Sequence, residues 1–226
     1  MANVGFREFL NIKRPAQELI EAFRGIPVAN IADQMGRIYC VDAAIKPMNS
    51  APLLGCALTV KAPMGDNLMF HRALDLAQPG DILVIDGAAG MERSLCGEIM
   101  MRYAMSRGIG GFLIDGCIRD YEAARELDFP IFARGVTPQG PYKFGPGEIN
   151  VPVAIGGIAV LPGDIVVGDQ DGVVVIRQED AKELAEKAKK HNDMEAVIFG
   201  QIAKKTFDHS WVDKAMETKG VETIRG

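Results

Sequence analysis

Pro79-Gly80-Asp81-Ile82-Leu83-Val84-Ile85 is the stretch on which the fold turns. Proline and glycine set up a tight turn, and four apolar residues then follow without alternation, as in a strand buried on both faces. Working outward, residues 67–77 just before it carry Leu68, Phe70, Ala73 and Leu76 at helical spacing, available to a core. Beyond it, residues 97–107 read as a helix and 111–114 as another short buried strand. Tyr121-Glu122-Ala123-Ala124-Arg125-Glu126-Leu127 reads as a further short helix. Helix and strand therefore alternate from 67 to 134, which implies parallel strands joined by crossover helices and a layered α/β body.

The flanks extend this frame. Residues 15–23 form an expected helix with Pro15 in its first turn, and 28–35 another that ends at Gly36. Residues 57–60 are a short β run. After Gly135 glycine and proline are dense, and short β runs follow at 151–155, 158–160, 165–167 and 173–176. Asp171-Gly172 is a hairpin turn signal, so this half is expected to be antiparallel and to complete a sandwich or barrel-like body. Pro-Gly-Asp-Ile recurs at Pro162, a turn phrase too short to establish a duplication. Residues 178–198 form a long Lys- and Glu-rich helix with Leu184, Ala185, Ala188 and Met194 on one face. It either packs on its own subunit or crosses to a neighbour; Trp211-Val212 and Met216 beyond it favour the crossing. The expected organisation is one domain over 1–226, with a C-terminal helical arm over about 178–226.

Composition narrows the function. The chain has 226 residues, 48% of them hydrophobic, enough for one sizeable core. A net charge of −5 without any basic run argues against nucleic-acid binding. Neither a signal peptide nor an apolar run of about 20 residues is evident, so no membrane association and a cytoplasmic location are expected. The four cysteines lack paired metal spacing and read as reduced core or near-core thiols. Three histidines in all speak against a His-built zinc site.

The chemistry concentrates in Gly97-Glu98-Ile99-Met100 and in Ile114-Asp115-Gly116-Cys117-Ile118-Arg119-Asp120. A glycine at a helix start exposes backbone N–H groups to a carboxylate. Arg119 offers a fixed cation and Asp120 a hard oxygen ligand for a divalent metal. Each has a simpler reading: Asp120 as the N-cap of the helix that follows, Glu98 as a partner of the helix dipole, Arg119 as a solvated or ion-paired side chain. The combination points to a pocket for a 2-oxo acid and a metal ion.

These residues resemble a known family. Gly-Glu-(apolar pair) followed by Asp-Gly-x-Ile-Arg-Asp is similar to the 4-hydroxy-4-methyl-2-oxoglutarate aldolases, part of a wider group that includes protein regulators of ribonuclease E. The resemblance extends to Gly65-Asp66-Asn67-Leu68-Met69-Phe70-His71, to Asn150-Val151-Pro152-Val153, and to the turns at Pro162 and Asp171, and so spans about 26–176. It implies a fold like the swivelling β/β/α phosphohistidine domain. It also implies metal-dependent cleavage of a 4-hydroxy-2-oxo acid, such as 4-hydroxy-4-methyl-2-oxoglutarate or 4-carboxy-4-hydroxy-2-oxoadipate, to pyruvate and a second oxo acid. Oxaloacetate decarboxylation through the same pyruvate enolate would accompany it.

On this reading the N–H groups over Gly97, Glu98, Ile99 and Met100 hold the pyruvate carboxylate, and Arg119 stabilises the enolate oxygen. Mg²⁺ or Mn²⁺ on Asp120 polarises the same oxygens and acidifies a bound water. The resemblance implies that Glu98 holds metal-bound water and that a further acid comes from a neighbour's C-terminal helix. Glu195 is the best match for that acid, with Asp193 the alternative. It implies as well a homotrimer, often doubled to a hexamer. The rival mechanism, a Schiff base, needs a desolvated lysine, and the apolar strands contain none. A menaquinone methyltransferase label borne by some relatives finds no Gly-x-Gly-x-x-Gly after a strand here. The rival function is a non-catalytic protein that binds and inhibits a ribonuclease; in such relatives the metal aspartate is typically replaced, so Asp120 is the discriminating residue.

Overall fold

In a computed structural model that describes residues 3–226, the chain forms two compact units, one ending at Lys189 and the other comprising Lys190–Gly226. In chain order the elements are β1 (Phe6–Glu8), α1 (Gln17–Glu21), α2 (Val28–Gln34), β2 (Lys46–Pro47), β3 (Leu53–Lys61) and α3 (Leu68–Leu76). Then come β4 (Asp81–Cys96), α4 (Glu98–Ser106), β5 (Gly111–Ile118), α5 (Tyr121–Glu126), β6 (Ile131–Val136), β7 (Gly147–Ile149) and β8 (Val153–Ile155). The remainder are β9 (Ile158–Val160), β10 (Ile165–Asp169), β11 (Gly172–Ile176), α6 (Gln178–Ala203) and α7 (Trp211–Thr218).

The expected alternation is present. β3, β4, β5 and β6 lie side by side in sequence order and are mutually parallel, each step crossed by a helix. Ile82, Leu83, Val84 and Ile85 are all fully buried, as their unbroken apolar run requires. Leu83 and Ile85 face a core built with α3 and α4, in which Phe112 stands edge-on to Phe70 and to Phe129. Ile82 and Val84 face the opposite core, closed by Val153, Ile155, Val166, Val173 and Val175 of the later β elements. The body is layered β on β on α, the α/β class expected. Burying a strand on both faces stabilises it by roughly 1.5–3 kcal/mol per large aliphatic side chain.

The later half is antiparallel as read: β8 pairs β9, and β10 pairs both β11 and the first half of β3. The β10–β11 hairpin turns at Gln170-Asp171, with Asp169 opposite Gly172. Pairings at the margins went unread: β1 runs parallel to β7, which also pairs with the end of β3, and β2 runs antiparallel to β6. The two Pro-Gly-Asp turns are built alike. Asp81 accepts the Gln78 N–H and is clamped by Arg14; Asp164 accepts the Leu161 N–H and is clamped by Arg177. In each, the glycine takes positive φ, +85° and +92°.

Several local expectations are corrected. The helix placed at 15–23 is the shorter Gln17–Glu21, so Pro15 precedes it. On α3, Leu68 stays at the surface and Leu76 is only partly buried; Met69 and Leu74 join Phe70 and Ala73 inside. β4 runs on through Cys96, bent by register shifts around Ala88 and Ala89, both at φ +55°. On α6, Ala181 is buried with Leu184, Ala185 and Ala188, whereas Met194 is exposed. Cys40 is exposed, unlike the other three cysteines, which are buried.

Candidate functional site

The carboxyl ends of β4 and β5 bring Gly97 and Arg119-Asp120 together. The Arg119 N–H donates to the Cys96 carbonyl at 2.9 Å, which docks the turn after β5 on the head of α4. Asp120 adopts the left-handed region at φ +58° and makes no side-chain cap on α5. Its Oδ2 instead accepts the Glu98 N–H at 2.9 Å and lies 3.7 Å from Arg119 Nε. The simple capping reading thus fails for the following helix, yet the carboxylate does serve a helix head, that of α4. Gly97 is required by this contact: a Cβ there would stand 2.3 Å from Asp120 Oδ2 and 3.0 Å from Arg119 Cγ and Nε.

The remaining site residues distribute around that contact. The Met100 N–H turns back to the Gly97 carbonyl and the Glu98 N–H is taken by Asp120, whereas the Ile99 N–H has no hydrogen-bond partner among the described residues. Ile99 itself is 82% exposed and Met100 is buried. The Glu98 carboxylate pairs with Arg102 at 2.6 Å, one turn on. Glu195 lies in the second unit, beside His191 at 3.6 Å.

Two concavities open at this place. Gly97, Ile99, Met100 and Arg119 line one of about 200 Å³, shared with Asn67, His71, Cys96, Pro141 and Lys143. Glu98 and Asp120 line another of about 710 Å³, with Glu122 and Arg102.

The Aldolase/RraA family model, described as RraA-like, matches residues 28–175, which carry every one of these residues except Glu195. The chain belongs to the RraA-like family. A Halalkalibacterium halodurans protein, provisionally named a 4-hydroxy-4-methyl-2-oxoglutarate aldolase, is 41% identical over 174 residues, 76% of this chain and 83% of that one. The Streptomyces coelicolor protein RraAS2, described as an unusual member of the RNase ES inhibitor family, superposes with a TM-score of 0.74 at 29% identity, covering 83% of this chain and 98% of that one. The RNA-processing inhibitor RraA of Thermus thermophilus gives 0.62 at 27%, covering 66% and 92%.

Within this RraA-like site the structure adds three polar residues that the sequence reading had not singled out, Asn67, His71 and Lys143. Asn67 precedes α3, buried, with Nδ2 donating to the Leu95 carbonyl at 2.8 Å while its Oδ1 is buried without a partner among the described residues. His71 is one turn further along. Lys143 sits on the 142–146 segment, which Asp66 secures: Asp66 Oδ2 accepts the N–H groups of Phe144 at 2.6 Å and Gly145 at 3.0 Å, and its Oδ1 accepts that of Leu68 at 2.9 Å. Asn67 and His71 at i, i+4 on one helix face were the available signal; Lys143 had none, because its placement depends on a distant carboxylate.

Whether a divalent cation suits Asp120 turns on its second oxygen. Oδ2 is engaged with Glu98, while Oδ1 makes no hydrogen bond among the described residues and the side chain is 42% exposed. No three His, Cys, Asp or Glu side chains converge on a metal position among the described residues. One carboxylate with retained waters is the donor set of a hydrated hard cation, not of zinc. The residues therefore fit Mg²⁺ or Mn²⁺. Burial pushes the Cys96 thiol well above the ordinary range and Cys117 upward too, and Cys56 to about 12, so none of the three is poised as a nucleophile. No helix among the described residues is long and apolar enough to cross a membrane.

Proposed function

We propose that this chain is a divalent-metal-dependent aldolase that cleaves a 4-hydroxy-2-oxo acid to pyruvate and a second oxo acid, and that decarboxylates oxaloacetate through the same pyruvate enolate. The observation that carries the reading is the small pocket at the head of α4, which gathers Arg119, Lys143 and His71 and has no carboxylate in its lining. Such a pocket suits an anion about the size of pyruvate. The Ile99 N–H receives the substrate carboxylate, and Arg119 donates to the C2 oxygen as charge develops there. Lys143 balances charge on the distal half of the substrate. Asp120 would hold Mg²⁺ or Mn²⁺, with Glu98 positioning a water the ion retains; when bound, the ion withdraws charge from the oxo-acid oxygens.

We further propose a cyclic homo-oligomer, a trimer or hexamer, in which Glu195 of a neighbouring subunit completes the site. Inhibition of a ribonuclease, after the names of two structural relatives, is the second reading, and Asp120 beside Arg119 argues for the enzyme. Pyruvate release from a panel of 4-hydroxy-2-oxo acids and from oxaloacetate, with Mg²⁺ and after chelation, tests the proposal. Metal-dependent release from at least one is expected; none from any would remove the enzymatic reading.

A further inference from the structure

Retro-aldol cleavage needs a group that takes the proton of the substrate's C4 hydroxyl; neither the Arg119 nor the Asp120 side chain is suited to it, and a water on a cation held by Asp120 is the alternative acceptor against which the variants below are read. Arg119 is permanently charged. Asp120 spends one oxygen on the Glu98 N–H and is the residue offered to a cation. In the pocket itself the remaining protonatable side chains are His71, Cys96 and Lys143. Cys96 is buried with its thiol held protonated. His71 is the only imidazole of the chain up to Lys189; His191 and His209 lie in the second unit.

His71 also shares the pocket with Gly97 and Arg119, on a helix whose backbone is tied to the pocket's opposite wall. Its N–H donates to the Asn67 carbonyl at 3.0 Å, and Asn67 reaches across to the Leu95 carbonyl and to Met100 Sδ at 3.5 Å. The heads of α3 and α4 are thereby locked together, with His71 and Gly97 on the walls of one pocket of about 200 Å³. The imidazole makes no hydrogen bond among the described residues. Burial first, then the charge of Lys143, hold it below its ordinary pKa, against a smaller opposing pull from Asp75. At neutral pH it is an unprotonated base with free lone-pair capacity.

We propose that His71 is the proton-transfer residue of the cleavage reaction, an inference that rests on the aldolase reading above. The imidazole takes the proton from the C4 hydroxyl. The freed O–H electron pair forms the C4 carbonyl, and the C3–C4 bond breaks. Its electron pair becomes the C2–C3 double bond of the enolate, with the negative charge on the C2 oxygen beside Arg119. After the second oxo acid leaves, the imidazolium returns its proton to C3, giving pyruvate and a neutral His71.

Oxaloacetate decarboxylation supplies the contrast, because it has no hydroxyl proton to remove and solvent can protonate the released enolate. His71→Asn and His71→Gln, with folding read by circular dichroism, are therefore expected to lose aldol cleavage by about 10²-fold or more, at least about tenfold beyond whatever decarboxylation loses from the altered pocket wall. Imidazole added to His71→Ala is expected to restore part of the cleavage. Equal loss of both reactions without rescue, or cleavage undiminished, overturns the assignment. If the wild type cleaves no aldol substrate, the functional reading fails separately, and exchange of pyruvate C3 hydrogens in D₂O decides His71: exchange by the wild type that the variants lose supports it, and any other result refutes it. Should no variant fold, the wild-type profile decides, since kcat/KM must fall as pH drops below about 6.5 and a flat acid side excludes a neutral histidine base.

Discussion

At Gly97 a single added methyl group would collide with the Asp120 carboxylate. The ideal Cβ position lies 2.3 Å from Asp120 Oδ2, the far end of a side chain that can swing, so Gly97→Ala is expected to fold. The displaced carboxylate loses the Glu98 N–H and carries Arg119 with it, and a shift of about 1 Å costs on the order of 10²-fold in catalysis. Steady-state pyruvate release checks this, and an unimpaired Gly97→Ala enzyme would mean that the Asp120–Glu98 contact is dispensable. Asp120→Asn is the complementary change. An amide oxygen still accepts the Glu98 N–H at the head of α4, so melting temperature should hold, while metal-dependent turnover disappears because an amide is a poor Mg²⁺ ligand. Wild-type pyruvate release by this variant in Mg²⁺ would remove Asp120 as the ligand.

At the scale of elements, Asp66 joins two walls of the pocket, the head of α3 and the 142–146 segment. Asp66→Ala strands three backbone donors, and each buried unsatisfied donor costs about 1–3 kcal/mol, less whatever solvent enters. Urea unfolding should show a loss of a few kcal/mol, on the order of one to two such donors, with KM raised as Lys143 loosens; an unchanged midpoint would show that the segment is held elsewhere. The central strands were legible because burial on both faces leaves an unbroken apolar run, as at Ile82–Ile85, and because Gly36 ends α2 as a glycine ends helices. The bent continuation of β4 was not, since Gly87-Ala88-Ala89-Gly90 carries no strand pattern and is shaped by its neighbours. Gly97, Arg119 and Asp120 could be read from their local phrases. Lys143 could not, because its place arises from a contact between segments far apart in the chain, Asp66 with 144–145.

For the whole molecule, the proposed assembly makes a direct statement about mixtures. Asp120→Asn and Glu195→Gln each disable one contribution to a site formed by two subunits, so mixed and reassembled proteins should recover part of the activity. Demonstrated subunit exchange without recovery, or full activity in a monomer by light scattering, would confine the site to one chain. The parallel pairing of β1 with β7 has a consequence of another kind. Phe6 lies opposite Gly147, and β3 receives β10 on the edge opposite β4, so these partners emerge long after the strands they complete. At about 5–20 residues per second, the interval between Phe6 and Gly147 on the ribosome is on the order of ten seconds. β3 to β6 follow one another in the order of translation and can assemble as they appear. The nascent chain therefore acquires its Gly97–Arg119 wall first and its Lys143 wall later, and the N-terminal strand, the earliest made, is among the last to find its place.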